Sequence, residues 1–202
     1  MATRARTRAP SAEQLTFDPD VIHVSSALTE SVLQDNVRAF TNDLQVQFAT
    51  DPEWVGSRYE WVRALAPARR PPVGWAIISH WAQTVGIPVS GKWSHGRVLA
   101  GLKTQLKLST RWDDGDFVFQ LPVSDEASVV LLLGIEPNGL SLWPVTPNIL
   151  AANASQTTNT TSWVRFPAST PPVWLSAQGS GLRDAAILFT SLASTSVHKG
   201  KH

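Results

Sequence analysis

The 202-residue chain contains no cysteine. It therefore has no disulfide scaffold, no thiolate nucleophile and no cysteine-ligated zinc or iron–sulfur centre. Charged residues are scarce, at 16% against about a quarter in ordinary domains. That excludes a highly charged disordered chain. No apolar run approaches the ~20 residues of a membrane helix, so no membrane partner is expected. The opening MATRARTRAPSAEQ lacks the apolar stretch of a secretory signal. A cytoplasmic location is the expectation. The most telling absence is local: no acidic residue stands between Glu60 and Asp113.

What is present is charge arranged in blocks. The net charge of +1 conceals them. Residues 9–57 carry eight acids against Arg38. Residues 58–111 carry nine cations against Glu60 alone. Residues 112–198 carry seven acids against Arg165 and Arg183. A basic centre of this kind is a candidate footprint for a polyanion. The alternative is that its cations pair with the acidic flanks once the chain folds.

The chain divides into a basic, irregular arm over 1–25, one domain over 26–194 and a basic tail over 195–202. Leu33, Val37, Phe40, Leu44 and Phe48 line one face of a helix within 29–48. Tyr59, Val62 and Ala66 predict a short helix ended by Pro67. Val73, Ile77, Trp81 and Val85 predict a second, closed by Gly86 and Pro88. Strands are expected at 97–100, 103–109, 117–120 and 163–166. Val129–Ile135 is continuously apolar, as in a strand buried on both faces. Pro137-Asn138-Gly139 is a turn into a strand over 140–145. A short helix is expected at 147–152, an irregular segment at 171–175 and a closing helix at 182–192. The order of elements predicts an α/β (α+β) domain, a mixed β-sheet flanked by helices.

The strand over 103–109 is the candidate site. Leu106 and Leu108 point one way; Gln105, Lys107 and Ser109 point the other. Such a stripe is either one wetted face or a working surface. Several motifs follow one another in order around it. Gln105-x-Lys107 leads to Ser109-Thr110, Trp112, Gly115 and Phe117-x-Phe119-Gln120. Further on stand Leu133-Gly134-Ile135-Glu136-Pro137, Leu142-Trp143-Pro144-Val145 and Pro171-Pro172-Val173-Trp174-Leu175. Upstream stand Ser57-Arg58-Tyr59-Glu60-Trp61 and Gln83-Thr84-Val85-Gly86-Ile87-Pro88-Val89. Over roughly 55–190 this order resembles the restriction-endonuclease-like proteins of the PD-(D/E)xK class.

The resemblance implies a restriction-endonuclease-like core and a DNA endonuclease that hydrolyses phosphodiesters with Mg²⁺. Carboxylates on the sheet would bind the metal, and a lysine would position or deprotonate water. The catalytic positions fall on Gln105 and Lys107. Arg97, Lys103, Ser109, Arg111, Trp112 and Trp93 would face DNA, with the two tryptophans stacking on bases or simply packing. A homodimer would suit a palindromic site. The chain departs from the family pattern in its acids. Ser94-His95-Gly96-Arg97 stands where an Asp is usual, and Ile78-Ser79-His80 where many members carry Glu. The metal ligands are therefore unknown, with Asp113, Asp114, Asp116 and Glu60 as substitutes and acids placed at Gly96 and Gln105 as a route to restoring them. The competing expectations are a DNA-binding relative that has lost catalysis, and a structural or protein-interaction module.

Overall fold

The computed structural model describes residues 52–121, 123–156, 162–176 and 182–199. The arm over 1–25 and the helix expected within 29–48 lie outside the described residues. The chain runs α1 (Glu60–Arg63), a 3-10 turn (Pro67–Arg69), α2 (Arg70–Thr84), β1 (Val89–Trp93), β2 (Gly96–Leu99), β3 (Leu102–Thr110), β4 (Asp116–Gln120), β5 (Val129–Ile135) and β6 (Leu140–Val145). It continues with α3 (Pro147–Ala152), β7 (Ser155–Gln156), β8 (Ser162–Pro167), α4 (Val173–Ser176) and α5 (Leu182–Lys199). The fold is mixed α+β: a mixed five-stranded sheet flanked by helices.

That sheet has the order β1-β2-β3-β5-β6, and only β3 and β5 are parallel neighbours. A second sheet, β4-β8-β7, is antiparallel. The crossover from β3 to its parallel neighbour β5 runs through β4, so it places a strand of the second sheet over the first.

Side-chain alternation then divides the interior in two. Leu131, Leu133 and Ile135 of β5 join the core built with Ile77, Ile78 and Trp81 of α2 and Phe189 of α5. Val130 and Leu132 join the other core, with Phe117 and Phe119 of β4, Trp143 of β6 and Phe166 of β8. All seven residues of β5 are buried, which is why its sequence has no polar alternation. Four aromatic rings interlock in the second core. Phe117 meets Trp143 edge-on at 5.9 Å, and Phe119 stacks on Phe166 at 5.8 Å.

Three boundaries differ from the sequence expectation. α1 stops at Arg63, because Ala66 precedes Pro67 and takes an extended ψ of 141°. Val173–Ser176 forms one helical turn, closed by the Leu175 N–H on the Pro172 carbonyl at 2.8 Å. α5 continues to Lys199, since no glycine or proline interrupts it before Gly200. The hairpin between β2 and β3 turns at Ala100 and Gly101, both at positive φ.

Candidate functional site

Register decides which residues share the polar face of β3. Leu106 and Leu108 lie against Gly74 of α2, where an added Cβ would come within 2.8 Å of both leucines. Lys103, Gln105, Lys107 and Ser109 therefore occupy the opposite face. Two of the four hold the crossover. The Ser109 hydroxyl accepts the Val118 N–H at 3.0 Å and donates to the Thr110 carbonyl at 3.2 Å. Gln105 Oε1 accepts the Ser124 N–H at 2.9 Å. The chain from Val118 to Ser124 thus spans from Ser109 back to Gln105.

Lys107 stands between these two attachments, about 7 Å from each along the strand. It is half-buried, and desolvation pushes its ammonium below the usual lysine range. Its strand neighbour on β5 is Leu132 of the second core. Lys103, one step beyond Gln105, pairs with Glu126 at 2.5 Å. The Lys103 ammonium also lies 5.6 Å from the Trp93 ring centroid. His95 meets the same ring edge-on at 5.4 Å. Trp93, Lys103, Gln105 and Lys107 therefore share the face of the large sheet turned away from α2, running from the edge strand β1 to the central strand β3.

The other expected residues lie elsewhere. Arg97 reaches α2, donating to Ser79 Oγ at 2.7 Å, with its guanidinium 5.5 Å from the Trp75 centroid. Arg111 pairs with Glu53 past the end of β3. Trp112 is 48% exposed on the turn into β4. Ser109 is 4% exposed beneath β4. Self-pairing of the basic centre with its acidic flanks holds for Arg63 with Asp113, Lys103 with Glu126 and Arg111 with Glu53.

The substitute acids are engaged. Asp113 accepts from Arg63 at 2.8 Å, and Asp114 and Asp116 both accept from Arg165 at 2.6 Å. Glu60 Oε2 accepts the Gly56 N–H at 2.9 Å. Gly96 admits no side chain, since a Cβ there would fall 2.1 Å from the Thr104 carbonyl oxygen. A carboxylate placed at Gly96 is therefore sterically excluded, which corrects the route to metal binding considered from sequence. Among the described residues no group of three or more His, Asp or Glu converges to hold a metal. Among the described residues, a neutral amide already bonded to Ser124 and carboxylates held by Arg63 and Arg165 make a poor ligand set for Mg²⁺.

Sequence reasoning missed a second cluster. Arg63 and Arg70 both donate to Thr110 Oγ1, at 3.1 and 3.3 Å. The two arginines are seven residues apart, but the break at Pro67 hid any shared face. No helix among the described residues is long and apolar enough to cross a membrane. No protein-family model matches the chain, and comparison with curated proteins gives no match.

Proposed function

We propose that this protein binds DNA through the face of β1–β3 turned away from α2, and does so as a non-cleaving relative of the restriction-endonuclease-like layout. One observation carries the reading. The span without acids, between Glu60 and Asp113, supplies α2 and the three adjacent strands β1, β2 and β3. Trp93, Lys103 and Lys107 thus share one face of strands that hold no carboxylate, while Lys92, paired with Arg97, lies on the other face. Glu126, from the crossover, is the acid that reaches it. Cations engage phosphates and Trp93 offers a ring to a base.

The test is fluorescence anisotropy with a labelled duplex across a salt series. About two phosphate contacts, from Lys103 and Lys107, give a slope near −2 in log K against log salt. Lys103→Ala with Lys107→Ala should flatten that slope. Absence of binding at low salt overturns the reading.

A second reading is phosphodiester hydrolysis, favoured by the desolvation of Lys107. A lysine with a lowered pKa is a better proton acceptor at neutral pH. Cleavage of plasmid DNA that is lost in Lys107→Ala, while binding persists, would put this reading first.

A further inference from the structure

The arginine pair at the carboxyl end of β3 lies apart from the DNA-facing surface, on the α2 face of the strand. Arg70 is fixed there by three hydrogen bonds: Nε to the Leu65 carbonyl at 3.0 Å, Nη2 to the Arg63 carbonyl at 3.1 Å, and Nη1 to Thr110 Oγ1 at 3.3 Å. All three acceptors are neutral. Arg63 donates to the same hydroxyl at 3.1 Å, and its guanidinium lies 5.8 Å from the Trp54 ring centroid. Two like charges held on one oxygen repel each other. Burial, and then the charge of Arg63, push the Arg70 pKa down. Among the described residues one acid answers the pair: Asp113, on Arg63 Nη2 at 2.8 Å. The Asp113 side chain is 77% exposed. Two guanidinium charges therefore face one loosely held carboxylate.

We propose that Arg63 and Arg70 form a phosphate-binding site at the carboxyl end of β3, with Asp113 occupying the anion position until phosphate displaces it. The charge count calls for an anion, since two cations and one carboxylate leave a positive charge unanswered. Guanidinium forks match phosphate oxygens in pairs, and each arginine has five N–H donors, more than its bonds here use. Arg70 is preorganised by backbone carbonyls, so little freedom is lost on binding. Asp113 is solvent-exposed, so its ion pair is weak and exchangeable. The position also fits the architecture. β3 and β5 are the parallel pair, and ligands in open sheets gather beyond the carboxyl ends of such strands. The next residue, Arg111, has a buried Nε without an acceptor among the described residues. The ligand class is a phosphate dianion, either free or as the terminal phosphate of a nucleic acid. The site stands independently of DNA binding on the opposite face of β1–β3.

Calorimetric titration of the full chain with inorganic phosphate tests the site. A second pair of titrations compares one oligonucleotide with a 5′-phosphate and with a 5′-hydroxyl. Wild type should bind phosphate. Arg63→Gln should weaken it about tenfold, the scale of a lost charged hydrogen bond. Asp113→Asn removes the competing carboxylate from an exposed position and should tighten binding about threefold or more, within the range of a weak surface ion pair. This second variant keeps the test decisive if Arg63→Gln fails to fold. A gain from the 5′-phosphate that Arg63→Gln abolishes assigns the source to a nucleic-acid end. Phosphate binding without that gain assigns a free or small-molecule phosphate. No phosphate binding, or equal binding in wild type and Asp113→Asn, overturns the proposal.

Discussion

The ring of Phe117 lies against Gly134: a Cβ at position 134 would fall 2.7 Å from Phe117 Cζ. This contact joins the two sheets. Ser109 is the neighbour of Gly134 across the parallel pair, and its hydroxyl holds the N–H of Val118. β4 is thus fixed at two successive residues, by a ring on a glycine and by an amide on a hydroxyl.

Gly134→Ala should therefore destabilise the fold by about 1–3 kcal/mol, the cost of overpacking a filled core. Urea denaturation measures it. Phe117→Leu in the Gly134→Ala background should recover part of the loss, because the shorter side chain makes room for the methyl. Additive losses in the double variant would contradict the contact.

Ser109→Ala leaves the Val118 N–H without its acceptor. A loss of about 1–3 kcal/mol is expected, the cost of an unsatisfied buried donor. Hydrogen exchange localises the effect: the Val118 amide should exchange faster, while amides of β5 follow only the global change. Unchanged exchange at Val118 would show that the hydroxyl does not hold β4.

Lys107 gives a pH signature. Burial lowers its folded pKa, so the folded state gives up this proton at lower pH than the unfolded chain, whose lysine titrates near 10.4. Between those two values the unfolded chain binds more protons, and stability contributed by this group rises with pH. Lys107→Met removes that rise. The stability of wild type relative to Lys107→Met should climb as pH rises through the lowered folded pKa toward about 10.4. A constant difference over that window would exclude a desolvated lysine.

Gly96→Asp and Gln105→Glu should behave oppositely. At Gly96 the new Cβ would meet the Thr104 carbonyl at 2.1 Å, so pairing of β2 with β3 must give way. A loss of about 3 kcal/mol is expected from such overpacking. Gln105→Glu keeps an oxygen to accept the Ser124 N–H and should fold. Thermal denaturation separates the two. A Gly96→Asp variant as stable as wild type would overturn the steric argument.

Much of the fold was legible in the sequence because local pattern caused it. The unbroken apolar run of Val129–Ile135 matched a strand covered on both faces, and it is one. The alternation of Leu106 and Leu108 against Gln105, Lys107 and Ser109 fixed two opposite faces of β3 before any neighbour was known. Proline and glycine marked the ends of α2 and the turn into β6. The site was less legible, because its parts meet through long-range pairing. Lys103 and Lys107 share a face with Trp93 only through the β1–β2–β3 register. Arg97 turned to α2 because residues at even and odd positions of that register face opposite sides. Arg63 and Arg70 met at Thr110 only when α2 packed across the end of β3. Period and punctuation lie within a few residues of each other, so sequence determined the elements and their faces. Which cation meets which acid, ring or hydroxyl depends on strand order and packing across tens of residues, and that was decided by the tertiary structure alone.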